Sequence, residues 1–166
     1  MKPTLNPPSP ADAMARAAMK ALARHSFCTL ATSSARNRPH VAGVLYALAG
    51  GKLFIHTFAD SRKARNVRDN PRVAVCVPVR RLPMAPPFCV QFQGTAELMA
   101  IDDPEIGALV AARSLDRIAG HGALSAPGSC IVRITPSATL STYGIGVPLR
   151  ALLRDPLHAS RNVRVA

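Results

Sequence analysis

Apolar residues first recur at helical spacing. Over residues 11–24, Met14, Ala18 and Leu22 fall on one face among good helix formers, and Ser9-Pro10 supplies a start signal. This predicts a helix laid across the end of a sheet. From Phe27 the period shortens to that of strands. Residues 27–32 form a short β-prone run closed by the polar stretch 33–37, and residues 39–48 form a second. Ala49-Gly50-Gly51 then turns into a third run, residues 52–58, and a Gly-Gly between two such runs signals a hairpin. Residues 60–69 read as a helix, with Asp60 or Ser61 as N-cap and Asn70-Pro71 as the stop. The run 72–79 (RVAVCVPV) is nearly all apolar, which predicts a strand buried on both faces. Residues 88–99 alternate, with a bulge expected at Gly94. Asp102-Asp103-Pro104-Glu105 opens a helix expected to reach about Ala119 and to end at Gly120-His121-Gly122. Residues 129–143 form the last strand.

Six strands in meander order with two or three helices predict a mainly β fold, an antiparallel barrel with flanking helices. One domain is expected over residues 11–145. A proline-rich leader at 1–10, expected to be flexible, precedes it, and a C-terminal tail at 146–166 follows.

Composition narrows the class. The chain has 166 residues, 48% of them apolar, enough for one domain with a real core and against disorder. No apolar run reaches the ~20 residues of a membrane span, and the N-terminus lacks a signal-peptide stretch, so a soluble, cytoplasmic protein is expected. Cys28, Cys76, Cys89 and Cys130 have neither disulfide nor metal spacing and are expected to be small core residues, with no metal site. Charge is lopsided, 21 Lys+Arg against 9 Asp+Glu for a net +12. That points to an anionic partner: nucleic acid, a phosphorylated cofactor or an acidic substrate. With 4% aromatics, and basic residues not interleaved with Tyr or Phe, nucleic acid is disfavoured.

Seven of the 21 cations lie between residues 61 and 81. Ser61, Arg62, Lys63, Arg65 and Arg68 fall within about two helical turns directly after a strand. A helix start offers free N–H groups and the positive end of the helix dipole, and a hydroxyl with two adjacent cations there can chelate a phosphate. A solvated basic helix face would look the same, so the residues alone give an anion site and no more.

The ordered motifs Thr29-Leu30-Ala31-Thr32, Asn37-Arg38-Pro39-His40-Val41, His56-Thr57, Ser61-Arg62-Lys63 with Asn66, and Asn70-Pro71-Arg72-Val73 resemble the pyridoxamine 5′-phosphate oxidase-like superfamily of flavin-binding proteins. The resemblance covers about residues 25–100. It implies an FMN-binding split barrel, antiparallel, six-stranded and of Greek-key type. It also implies that Ser61, Arg62 and Lys63 hold the flavin phosphate, that His56 and Thr57 lie beside it, and that the strand carrying Val41, Val44, Leu45 and Tyr46 lines the ring through its backbone. Gln91 is the polar residue expected to reach the ring, with Gln93 on the same side of its strand. A homodimer with cofactor at the subunit interface is implied too, with the tail expected to touch the partner subunit, together with hydride transfer to or from a small-molecule substrate. The chain has no Trp, and its tail STYGIGVPLRALLRDPLHASRNVRVA lacks the signature of true pyridoxamine phosphate oxidases, which argues against vitamin B6 oxidation. The rival readings are a deazaflavin coenzyme in the same groove, and a non-catalytic module binding flavin or haem. No acid–base dyad stands out, so no catalytic side chain is nominated.

Overall fold

The computed structural model describes residues 9–79 and 88–165. Most of the expected leader and the basic loop 80–87 lie outside the described residues. Ser9 and Asp12 form a reciprocal cap, the Ser9 hydroxyl accepting from the Asp12 N–H at 3.2 Å and the Asp12 carboxylate from the Ser9 N–H at 3.3 Å. This starts α1, Pro10–Arg24, whose Ala18 and Leu22 are fully buried. The strands are β1 Phe27–Ser33, β2 Pro39–Leu45, β3 Ala47–Ala49, β4 Lys52–Phe58, β5 Arg72–Val79, β6 Phe88–Ala100, β7 Ser129–Tyr143 and β8 Ser160–Arg164. The further helices are α2 Arg62–Asp69, α3 Pro104–Ala111 and α4 Leu149–Arg154.

All strand pairs are antiparallel, in the order β2-β1-β5-β6-β7-β4-β3, with β8 on β7. The sheet curls so that β2 approaches β4, giving an antiparallel half-barrel with flanking helices, as a split barrel requires. Gly50 and Gly51, both at positive φ, make the expected hairpin turn between β3 and β4. The register of β6 against β7 shifts between Phe92 and Gly94, where the bulge was expected.

Eight strands stand among the described residues where six were expected, for two reasons. The run 39–48 breaks at Tyr46, whose hydroxyl donates to the Leu22 carbonyl at 2.7 Å and whose N–H donates to Ser26 at 2.7 Å, pulling the chain out of the ladder to meet α1. The segment expected as a tail carries α4 and β8. Val163 of β8 is buried, and residues 160–164 pair with residues 139–143 of β7.

Burial also differs from expectation at β5, which alternates: Val73, Val75, Val77 and Val79 face the core while Ala74 and Pro78 are exposed. The two-sided strands are instead β4 and the first half of β7. Leu53, Ile55 and Val132 join the main core, while Phe54 and Ile131 join a second cluster with Ile106, Leu115 and Ile118. That second cluster exists because α3 and the turns after it cover the outside of those strands. Arg133 ties them down, bonding Glu97 at 2.7 Å and pairing with Glu105 of α3. The helix expected to reach Ala119 stops at Ala111, and Arg113 follows at φ 58°, a left-handed conformation that ends it.

Candidate functional site

β4 leads into α2 through a turn of three residues, closed by the Ser61 N–H donating to the Phe58 carbonyl at 3.0 Å. Ser61 is the N-cap: its hydroxyl accepts from the Ala64 N–H at 3.3 Å and shares a 3.0 Å hydrogen bond with Thr57. Asn66, one helical turn on, is buried and donates to the Thr32 hydroxyl on β1 at 2.9 Å, while Val67 enters the core. Cap, clamp and apolar anchor together fix the start of α2 against the sheet. The N–H groups of Arg62 and Lys63 have no carbonyl one turn back to bond.

The cations around this start divide by role. The Arg65 guanidinium donates to the Asp60 carbonyl and Arg68 reaches the Ala59 carbonyl at 3.5 Å, so both wrap the turn. Arg62 is exposed at the helix start and Lys63 half-buried beside it. Among the described residues none of these four cations sits in an ion pair.

His56 lies on β4 within reach of the same charge. Its Nε2 lies 3.0 Å from the Ser129 hydroxyl, which donates to the Ala123 carbonyl at 3.0 Å. A hydroxyl has one proton, so Ser129 accepts from an Nε2–H, leaving Nδ1 as the free lone pair of the neutral ring. Burial, and secondly the Lys63 charge, lowers the His56 pKa from its ordinary 6.5. The unfolded chain therefore takes up a proton here before the folded chain does. Stability is expected to fall as pH drops below 6.5, and His56→Gln to flatten that limb; urea midpoints of both proteins at about pH 7.5 and 5.5 check this. Equal slopes would mean that His56 titrates alike in both states.

The structure thus brings together His56, Thr57, Ser61, Arg62 and Lys63. On β2, Val41 and Leu45 are exposed along one face with Gly43, whereas Val44 packs partly on the core and Tyr46 is fully buried. The Tyr46 side chain is therefore unavailable to a ligand, because its hydroxyl already serves α1. Gln91 stands apart from the cation cluster. With Gln93 it lines a cleft of about 590 Å³ on the outward face of the sheet, where Thr29, Cys76, Ser141 and Asn162 contribute and, among the described residues, no ionised group does. Both glutamines are exposed on that side, so either can serve a ligand there. Cys76 and Cys89, expected in the core, are half-exposed on this face; Cys28 and Cys130 are buried as expected. Sequence reasoning gave no role to Ser129 or Thr32. Their partners lie 73 and 34 residues away, and no local pattern marks such pairings.

A curled antiparallel sheet whose β4–α2 junction presents free N–H groups and unpaired cations has the architecture of the split β-barrels. The family model for pyridoxamine 5'-phosphate oxidase matches residues 14–143, and the chain belongs to that family. No curated protein matches the chain in sequence. Among solved structures, a haem-binding protein from Mycobacterium smegmatis superposes with TM-score 0.70 at 20% identity, over 96% of this chain and 60% of that one. This chain therefore spans less than two thirds of that relative. The haem storage protein HutZ from Vibrio cholerae gives 0.62 at 18%, over 78% and 89% of the two chains. A FAD-binding protein from Mesorhizobium loti gives 0.61 at 22%, over 75% and 90%. At such identities the likeness is one of fold. No helix among the described residues is long and apolar enough to cross a membrane.

Proposed function

We propose that this chain is an FMN-binding oxidoreductase that moves hydride between the flavin and a small organic substrate, acting in the cytoplasm as a homodimer. The observation that carries the reading is the start of α2. Two free N–H groups, the planar fork of Arg62 and the point charge of Lys63 lie there with no ion-pair partner among the described residues, next to His56. That set suits the terminal phosphate of FMN. FMN would supply the hydride chemistry, and the protein binding and orientation. Val41 and Leu45 offer an apolar strip with strand backbone for a ring, and the uncharged cleft around Gln91 suits the polar edge of a heterocycle. Because Gln91 and the cations do not share that cleft, one flavin would draw on two subunits, phosphate from one and ring edge from the other.

The test is reconstitution. Ligand-free protein is offered FMN, the deazaflavin coenzyme and haemin in parallel, followed by absorption spectra and mass analysis of what stays bound after gel filtration. Stoichiometric FMN with quenched fluorescence is the expected result. A Soret band from haemin with no flavin retained would overturn the reading, and retention of deazaflavin alone would change the cofactor while keeping the phosphate site.

A further inference from the structure

Two thiols lie side by side on the outward face of β5 and β6. Cys76 pairs in register with Gln91, and Cys89 sits two residues before Gln91, so the cysteines are diagonal neighbours on one face. The Gln91 side-chain N–H donates to the Cys89 sulfur at 3.2 Å. Both are partly exposed and line an apolar cleft with Pro78, Phe88 and Tyr143, whereas Cys28 and Cys130 are buried. An open dithiol with a fixed amide donor differs from the core thiols in access and in the groups around its sulfurs.

We propose that Cys76 and Cys89 form a reversible redox site, closing to an intramolecular disulfide on reaction with a small disulfide oxidant such as oxidised glutathione. The Cys89 thiolate, with the Gln91 N–H at hand as donor, attacks one glutathione sulfur. A protein–glutathione S–S bond forms and a glutathione thiolate leaves. Cys76 then gives its proton to solvent and attacks the Cys89 sulfur, expelling the second glutathione thiolate. The protein loses two electrons and two protons, and one glutathione disulfide becomes two thiols. Burial, with Cys89 as neighbour, raises the Cys76 pKa, so Cys76 keeps its proton until the second step. A bridge between diagonal positions carries strain, and strained disulfides are the easily reduced ones. Gln91 lines both this cleft and the uncharged one, so losing its thiol partner alters the cleft beside it.

The experiment treats the whole folded protein with oxidised glutathione and reads intact mass, then maps peptides. The expected product has lost two hydrogens, joins Cys76 to Cys89, and returns to the starting mass with dithiothreitol. Cys76→Ser should stop at a single glutathione adduct on Cys89. Cys89→Ser should slow adduct formation about tenfold or more. A Cys28→Ser, Cys130→Ser double variant should oxidise like the parent. Circular dichroism establishes that each variant is folded. Glutathione adducts that never resolve into a Cys76–Cys89 link, or a link joining two chains, would overturn the proposal.

Discussion

Replacing Arg62 and Lys63 together with alanine is expected to weaken FMN binding about 100-fold or more while leaving the protein folded. A hydrogen bond to a charged group contributes roughly 1.5–3 kcal/mol, so two lost contacts amount to about 3 kcal/mol or more, at about 1.4 kcal/mol per tenfold in affinity. The fold should be indifferent. Arg62 is exposed, and among the described residues neither side chain has an ion-pair partner. Arg65→Ala is the informative control, since that guanidinium serves the Asp60 carbonyl in the turn and should cost affinity far less. Fluorescence titration with FMN gives the affinities, and urea unfolding verifies the fold. Wild-type affinity in a folded double variant would place the phosphate elsewhere.

Gly94→Ala is expected to destabilise the protein strongly. A Cβ there would lie 2.5 Å from the Thr135 carbonyl oxygen, 3.2 Å from its carbon and 3.3 Å from the Pro136 Cα. All three are backbone atoms, so no side-chain rotation relieves the clash, and β6 must move off β7 at the bulge. Overpacking of this kind costs typically 1–3 kcal/mol and occasionally more; with backbone on one side, about 3 kcal/mol is expected. Gly107→Ala supplies the contrast. Nothing lies within 4 Å of its Cβ position, and alanine in a helix is favoured over glycine by about 0.8–1.0 kcal/mol. Urea midpoints should therefore move in opposite directions, and a Gly94→Ala cost below about 1 kcal/mol would mean that the bulge accommodates a methyl group.

What was legible in the chain was what local chemistry decides. The turn at Gly50-Gly51 needs positive φ twice, which glycine adopts freely, and the Ser61 cap needs only the N–H three residues on. β7 ran to its expected ends because its long β-prone pattern had no competitor. The misreadings arose where a distant partner decides. Tyr46 leaves the ladder because the Leu22 carbonyl, 24 residues back, takes its hydroxyl. β8 shows little of a strand pattern, having only Val163 buried, and exists because β7 offers it an edge. The apolar run of β5 looked two-sided because alanine, cysteine and proline count as apolar on paper while tolerating exposure. At the site the cation cluster was visible as sequence. The His56–Ser129 contact and the cysteine pair depend on which strands become neighbours, and that ordering is not written locally.

The same long-range pairing bears on the order in which the molecule is made. The β3–β4 hairpin closes over a two-residue turn, but β4 finds β7 only after a loop of some seventy residues has closed, as the separation of 73 between His56 and Ser129 records. The turn before α2 waits on that event too, because the Ala59 N–H is satisfied by the Gly128 carbonyl. The proposed anion site would therefore form late in folding, after the local hairpins. A ligand bound at the proposed site would select chains that have completed this closure, so its occupancy would report on the integrity of the sheet.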